Sequence, residues 1–485
     1  MKSVALILVS VATAWANSYS GVYRFTYENI DITPKESMGL VGIGIDFDFS
    51  KYIYGGLGLY GSVKGRRGGF FTVGFNGGLK YKITKNIRVK GGLFVGAGGG
   101  GAAPQGGGLM LKEYAQVDYL LNSFNIGLGV SHIDFPNGHI KDTQGFLSLE
   151  IPTSGSYLEG HRFGKIGAFG NKDLSHNINI SILAQHYKPK NSKNLDNSPM
   201  KPFSLMGIKV SKFYSKNIYS IFQATGAGGG ENAGYMEVFG GVGYRYTLEN
   251  LPIFLSAQAL VGAGGGGRVN SGGGLLYNLD ASIGANITKN INITASIGKV
   301  TSFNNKFKAN KYALTLGYKT NIVDSSISDK LKSLPFSFRV LNKSYIDTKN
   351  LFKSYKKVDR VDMLGFAIDY YFNRYIYLTG QTFWAYKGKS GGYAEGIFGL
   401  GIKSSKWHNL SVYSEALIGV GGGGGVKIDG GLFASAGVGV DYTLSKNLNA
   451  FAKISYARNK TNRFHTKVVS VGLEYKFSLI SLIKK

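Results

Sequence analysis

Hydrophobic and polar residues alternate with a period of two along most of this chain. The stretch 40–49 (LVGIGIDFDF) has Val, Ile and Phe at one set of alternate positions and mainly Gly and Asp at the other. The stretches 53–62 and 71–81 repeat the contrast. Because successive side chains of a β-strand point to opposite faces, the pattern predicts strands that separate two different environments.

The composition of the two faces distinguishes the classes of all-β protein. The polar face is mostly small (Gly, Ser, Asn), and the apolar face is broad and becomes aromatic toward the strand ends. A soluble sandwich would hide its apolar face and rarely contains so many strands. A transmembrane barrel turns its apolar face to lipid and its polar face to the lumen. We therefore predict an all-β, antiparallel transmembrane β-barrel.

Short polar turns separate the predicted strands. They lie at 49–54, 83–88, 120–125, 214–219, 247–252, 287–292, 372–377, 405–410 and 444–449. Longer Lys- and Gly-rich segments, such as 64–69, 132–144 and 457–467, lie between them. Outer-membrane barrels have short turns in the periplasm and long loops outside, so the long segments are predicted to face outward.

The chain is an internal triplicate. Met38, Met206 and Met363 open matching strands, and three glycine runs recur with them at intervals of about 160 residues. We interpret these runs as glycine hairpins, since glycine permits sharp bends and close backbone approach. Their marker residues are Gly96, Gly98, Gly106, Gly262, Gly264, Gly272, Gly419, Gly421 and Gly430.

The repeats divide the chain into residues 17–165, 166–325 and 326–485. Each holds about eight strands, from an opening one (22–32, 177–187, 336–346) to a closing one (145–151, 312–320, 468–477), which gives about 24 in all. One wide barrel or three separate eight-stranded barrels would both satisfy this pattern. The long connections favour separate closure. We nevertheless favour one barrel, because several membrane barrels on one chain are unusual.

The first residues predict export. Residues 1–16 (MKSVALILVSVATAWA) combine an early Lys, an apolar run and an A-x-A cleavage signature, which is typical of a secretory signal peptide. No later window approaches the roughly 18 apolar residues that a membrane helix needs. The chain contains no cysteine, which excludes disulfides and thiolate metal sites.

The last predicted strand ends in VGLEYKF (471–477), like the assembly signal of outer-membrane proteins. With the alternation and the turn asymmetry, the whole mature chain resembles Gram-negative outer-membrane β-barrel proteins of the porin-like kind. The resemblance implies an outer-membrane location and the barrel-assembly machinery as a partner during biogenesis. It implies nothing about oligomeric state.

The net charge of +28 indicates an anionic partner. Basic clusters fall in predicted outer loops, at Lys64, Arg66 and Arg67, at 188–193 and at 353–360. These loops lack the aromatic interleaving of single-strand nucleic-acid binders, so outer-membrane lipid, above all phosphorylated lipopolysaccharide, is the expected partner. The candidate lumen-lining residues are Asp46, Asp48, Lys80, Arg88, Lys90 and Lys112.

Candidate chemistry is sparse. The first glycine run satisfies G-x-G-x-x-G, but an alternating segment follows it where a nucleotide site needs a helix. Ser131, His132 and His139 with Glu150 faintly resemble the lipid A deacylase kind of barrel, although their order does not match that family's motif. His408 and His465 are isolated. We predict no catalytic residue, cofactor or metal, and no enzyme activity.

Three functional hypotheses follow. The first is a channel that passes small polar or anionic solutes or exports a polymer. The second is a structural or adhesive surface protein whose basic loops bind lipopolysaccharide or another partner. The third and weakest is a lipid A-modifying hydrolase.

Overall fold

The computed structural model describes residues 18–163, 165–166, 175–323, 331–348, 351–352 and 360–482. The regular structure in these ranges is antiparallel β-strand. The predicted signal peptide (1–16) and most of the basic segment 353–360 lie outside them. Within these ranges, no helix is long and apolar enough to cross a membrane.

The first repeat forms barrel 1. Its strands are β1 (Ser18–Thr33), β2 (Glu36–Asp48), β3 (Ile53–Lys64), β4 (Phe71–Lys82), β5 (Ile87–Gly99), β6 (Leu109–Leu120), β7 (Asn125–Asp134) and β8 (Lys141–Ser156). β8 returns to pair with β1, which closes the barrel. Two short strands follow, β9 (Leu158–Glu159) and β10 (Lys165–Ile166).

The second repeat forms barrel 2. Its strands are β11 (Ser175–Pro189), β12 (Phe203–Phe213), β13 (Ile218–Gly229), β14 (Met236–Thr247), β15 (Ile253–Gly265), β16 (Leu275–Asn286), β17 (Ile291–Ser302) and β18 (Lys308–Val323). β11 pairs with β18 along its whole length, so this barrel also closes on itself.

The third repeat forms barrel 3. Its strands are β19 (Leu331–Tyr345), β20 (Val361–Tyr371), β21 (Ile376–Lys387), β22 (Ala394–Lys403), β23 (Leu410–Gly422), β24 (Leu432–Thr443), β25 (Leu448–Asn459) and β26 (His465–Leu482). β19 pairs with β26 along its whole length.

The prediction of three eight-stranded repeats is confirmed, and the chain closes as three narrow barrels rather than as the single wide barrel that we favoured. Each opening strand pairs with the closing strand of its own repeat. This closure satisfies the edge groups of every repeat locally. The connection at 157–174 is also longer than the tight turns at the same end of the barrels.

The three barrels meet around a pseudo-threefold axis. β3 of barrel 1 contacts β15 of barrel 2, β13 of barrel 2 contacts β23 of barrel 3, and β21 of barrel 3 contacts β5 of barrel 1. The third strand of each barrel therefore packs on the fifth strand of a neighbour. Outward apolar side chains fill the junction, among them Phe71, Ala97, Val238 and Trp384.

The remaining outer wall is apolar. Leu128, Ile297 and Ile454 are 64%, 63% and 63% exposed, and tyrosines such as Tyr81 and Tyr244 lie near the short turns. Such exposure would be unfavourable in water, but it suits hydrocarbon bordered by an aromatic girdle. The barrels thus carry the exterior of a membrane-spanning protein.

The connection between barrels 1 and 2 crosses the short-turn end of barrel 3. Leu158 and Glu159 extend the sheet beside the end of β26, and residues 165–166 pair with the start of β19. Between them, Gly160 N donates to Lys476 O at 3.1 Å. The segment that the sequence assigns to the end of the first repeat therefore completes the base of the third barrel.

Candidate functional site: the three lumens

Paired charges fill the lumen of barrel 1. Arg24 Nε donates to Asp46 Oδ2 at 2.9 Å. Closer to the short turns, Glu150 accepts hydrogen bonds from Lys90 Nζ at 2.5 Å and from Arg88. All five side chains are buried. An eight-stranded barrel is only wide enough for its interior to be filled by side chains, and this one is.

The six residues predicted to line the lumen all point into barrel 1. Lys112 Nζ donates to Glu28 Oε1 at 2.5 Å, and Lys80 pairs with Asp48 at the short-turn mouth. The four predicted cations each have a carboxylate partner, so their charges are balanced within the lumen of barrel 1. The six residues are Asp46, Asp48, Lys80, Arg88, Lys90 and Lys112.

Barrel 3 has a similar network. Arg339 Nη2 lies 2.7 Å from Asp369 and 2.8 Å from Glu415, and Lys453 donates to Glu415 at 2.6 Å. Nearer the long loops, Lys343 pairs with Glu395. These residues are buried as well. Breaking such pairs would leave uncompensated charge in a buried interior.

Barrel 2 differs from both neighbours. The one carboxylate–ammonium contact in its described lumen joins Lys311 and Asp280 at 2.8 Å. Its other cations bind neutral groups: Lys209 Nζ donates to Gln258 at 2.8 Å, and Lys319 donates to Asn286. Most of the remaining polar lining consists of uncharged amides and hydroxyls, such as Asn179, Ser181, Gln223, Asn278, Asn292 and Thr315.

The sharpest difference lies at the short-turn mouths. Cross-strand pairing puts Glu150, Gly317 and Glu474 at one register, because each pairs with an asparagine of the preceding strand. A second register holds Asp118, Gly284 and Asp441. Barrel 2 therefore has glycine at both positions where its neighbours have carboxylates.

A cation is nevertheless retained at this mouth in every barrel. Lys80 and Lys403 pair with carboxylates, whereas Arg245, at the same register in barrel 2, packs over aromatic rings. Its guanidinium carbon lies 4.0 Å from the ring centre of Phe254 and 4.6 Å from that of Phe213. The mouth of barrel 2 is thus cationic and aromatic.

Apolar side chains close the long-loop end of each lumen. The clusters contain Phe70 and Phe135 in barrel 1, Phe203 and Phe307 in barrel 2, and Phe464 in barrel 3, all at most 1% exposed. Several come from the loops, which fold inward over the barrel. In this state, each polar lumen is sealed from the long-loop side.

The glycine hairpins connect the barrels. A Cβ on Gly69 would lie 2.1 Å from Gly266 N of barrel 2, so only glycine permits this approach. Gly68 N also donates to Gly272 O at 2.8 Å. Two equivalent contacts complete the ring around the axis, Gly234 to Gly423 and Gly392 to Gly100.

The nine predicted glycines belong to these three hairpins, and the residues after Gly108 form strand β6 rather than a phosphate-binding helix. Gly106, Gly272 and Gly430 have φ of 59°, 62° and 67°, a left-handed conformation that favours glycine. The interpretation as bends and close approaches fits this geometry, and the partner of each hairpin is the adjacent barrel.

The predicted basic loop is partly structural. Arg67 Nη2 donates to Glu36 at 2.6 Å and Nη1 donates to Ala102 O at 2.5 Å, which fastens the loop to the glycine hairpin of its own barrel. Lys64 and Arg66 are exposed. Two of the three predicted cations therefore face the outside.

The hydrolase constellation does not assemble. Ser131 points into the lumen and donates to Glu28 at 2.7 Å, whereas His132 points outward and contacts Thr143 Oγ1 at 2.7 Å. Glu150 binds Arg88 and Lys90 at the opposite end of the barrel. Adjacent residues of a strand face opposite sides of the wall, which separates the serine from the histidine. Within the described ranges, no three His, Asp or Glu side chains form a metal-binding group.

Sequence reasoning missed the charges of barrels 2 and 3. The register of the glycine hairpins would have identified them, because Lys80, Arg245 and Lys403 occupy one position relative to those hairpins. The glycines that replace carboxylates in barrel 2 gave no signal of their own, since glycine is common throughout that face.

No protein-family model and no curated protein matches this chain. Solved structures that match include three from Pseudomonas aeruginosa: the outer membrane protein opdK (10% identity, TM-score 0.24, covering 95% of this chain and 98% of that chain), OccK11 (12%, 0.23, 95% and 96%) and a mutant of the ferric enterobactin receptor PfeA (10%, 0.28, 96% and 81%). Scores this low carry no argument about activity. The closed strands, polar lumens and apolar exterior decide the class. The chain folds as transmembrane-type β-barrels.

Proposed function

We propose that this protein is a gated outer-membrane channel, and that barrel 2 provides its path for small anions. The observation that supports the proposal is the mouth of barrel 2, where Arg245 is retained and glycines 284 and 317 replace both carboxylates of the neighbouring barrels. Lys209 and Lys319 add positive charge along the same wall. A lumen with excess positive charge and low-dielectric walls attracts anions.

The path is closed at rest. The apolar cluster around Phe203 and Phe307 seals the long-loop end, so conduction requires this cap and the lumen side chains to move. The narrow, filled lumen favours inorganic or very small organic anions over a polymer. Barrels 1 and 3 would conduct less, because their charged networks must break before anything passes.

Planar-bilayer recording tests the proposal. The wild-type protein should show brief, small openings with anion selectivity. Arg245→Gln with Lys209→Gln should reduce the anion-to-cation permeability ratio several-fold, and Lys90→Gln in barrel 1 should leave that ratio unchanged. A protein that stays electrically silent at all voltages, or a ratio that follows Lys90 rather than Arg245, would contradict the proposal.

A structural or adhesive role is the second candidate. The apolar caps at the long-loop ends favour this role, because barrels that never open would be sealed in this way and would pass no solute. It predicts silence in the bilayer even after the cap is loosened by Phe307→Ala. Openings in this variant, with the ion selectivity set by Arg245, would support the channel instead.

A further inference from the structure

A row of lysines lies on the outer face of barrel 2, at the long-loop end. Lys188 on β11 and Lys299 on β17 flank Asn310 on β18 in cross-strand register. One step further from the short turns, Lys190 N donates to Lys308 O at 2.8 Å. All four lysines are exposed, and we call them the lysine row.

The lysine row lies directly above the apolar wall. One outward position lower on the same strands are Tyr312 and Ile297, which are 43% and 63% exposed. Lys188 Nζ lies 5.3 Å from the ring centre of Tyr312, a cation–π contact. Aromatic side chains mark the boundary between hydrocarbon and headgroups, so the lysine row lies at headgroup level on the outer side.

The lysine row has no counter-charge of its own. In the part of the chain that the structure describes, none of the ion pairs within 4.0 Å includes one of these four ammonium groups. The inward charges Lys311 and Asp280 pair with each other on the other side of the wall. The free charge is therefore presented outward.

The fold does not require this charge. Lys299 pairs across the sheet with Asn310 on one side and Leu279 on the other. At the equivalent registers of barrel 1, His132 pairs with Thr143 and Glu113. In barrel 3, the same three registers hold Lys467, Tyr456 and Ala436. At the register of Lys299, barrels 1 and 3 thus have a histidine and a tyrosine, and in barrel 1 the residue paired with that histidine is a carboxylate.

We propose that the lysine row binds the phosphorylated headgroup of an acylated glycolipid of the outer leaflet, with acyl chains lying along the apolar wall below it. Ammonium groups bind phosphate as point charges, and basic clusters beside a hydrocarbon surface recognise anionic headgroups. A soluble polyanion would gain nothing from the adjacent apolar wall, so a lipid is the better fit. This surface is independent of the lumen.

Native mass spectrometry of the full-length protein tests the proposal with bis-phosphorylated lipid A as the probe. The comparison variant is Lys188→Gln/Lys299→Gln/Lys308→Gln. The matched control removes three exposed lysines at the short turns, Lys85→Gln/Lys289→Gln/Lys446→Gln. The lysine-row variant should bind on the order of 100-fold more weakly, whereas the control should bind like the wild type.

Two further probes make the result decisive. Dephosphorylated lipid A should bind weakly to the wild type, and phosphatidylglycerol should compete poorly. The proposal would be overturned if dephosphorylated lipid A bound as tightly as lipid A, or if phosphatidylglycerol competed as well as lipid A. Wild-type affinity in the lysine-row variant would overturn it too. The mobility of unheated samples on gels verifies that each variant is folded, and bilayer recordings of the lysine-row variant should match those of the wild type, which separates this site from the channel.

Discussion

The walls of barrels 2 and 3 are built alike, but the side chains that fill their lumens differ. Their strands have the same order and equivalent registers, and they use the same glycine contacts at the axis. At the register where barrel 3 has Arg339 between two carboxylates, barrel 2 has Ser181. The repeat thus keeps the wall constant while the lumen varies from a charged plug to a lining rich in neutral amides.

The difference separates stability from permeation. Buried ion pairs are weak evidence for stability, but removing one partner is costly because the other charge is then left unpaired. Barrel 3 is therefore locked by its own charges. Barrel 2, with neutral amides and one ion pair in its described lumen, can rearrange with fewer buried charges exposed.

The largest expected effect is the loss of the central guanidinium of barrel 3. Arg339→Met leaves Asp369 and Glu415 without their shared partner, and we expect it to lower the free energy of unfolding by about 3–5 kcal/mol. The matched change in barrel 2, Ser181→Ala, should alter it by about 0.5 kcal/mol or less, because that hydroxyl makes no hydrogen bond within the described residues. Urea titration in lipid vesicles measures both. Equal losses would mean that the two lumens are equivalent.

The second prediction concerns the connection that covers the base of barrel 3. Its His161 Nε2 contacts Phe336 O at 3.1 Å and Ser337 Oγ at 3.0 Å, and its ring centre lies 4.2 Å from that of Tyr371. Burial, helped by the nearby Lys476 and Lys403 and opposed by Glu474, lowers the pKa of His161 to about 4. The histidine is therefore neutral in the docked connection.

Because of this lowered pKa, the stability of the docked connection depends on pH. Because the folded pKa lies below the unfolded value of about 6.5, the contribution is full above that pH and is lost as the pH falls toward 4. The hydrogen-exchange protection factors of residues 158–160, which are corrected for the intrinsic exchange rate at each pH, should fall over this window. His161→Phe keeps the ring contact and should remove the pH dependence. Protection factors that stay constant between pH 7 and 4 in the wild type would show that the connection is not held this way.

The sequence predicts the walls far better than their closure. The alternation in 40–49 and the turn at 49–54 set β2 and its hairpin. The opening and closing stretches lie within the observed strands, except that 336–346 extends one residue beyond the end of β19. The closure was mispredicted because the stretch 22–32 alternates in a way that would pair equally well with the closing stretch of its own repeat or with that of the last repeat. Only the observed register, such as Phe25 with Leu149, decides it.

The same limit applies to the lumens. Parity alone placed Arg88, Lys90 and Lys112 inside barrel 1, since inward residues alternate with outward ones. Parity could not show that each has a carboxylate partner, because Glu28 and Glu150 lie on strands distant in sequence. The packing of the glycine hairpins on another barrel was equally hidden, because it joins residues of different repeats.

The smallest expected effect comes from making barrel 2 resemble barrel 3 at one position. Glu237 accepts from Gln185 Nε2 at 2.6 Å and from Tyr235 Oη at 2.8 Å, whereas the equivalent Glu395 pairs with Lys343. Gln185→Lys supplies that cation, and the new ion pair should roughly offset its own desolvation, so the free energy of unfolding should change by less than about 1 kcal/mol. Gln185→Met is the control; it removes a donor from the carboxylate and should cost about 1–3 kcal/mol. Urea titration of both variants decides between them. If the lysine variant is the less stable of the two, Glu237 does not form an ion pair with the new lysine. The long-loop ends of the two lumens would then differ in more than this one side chain.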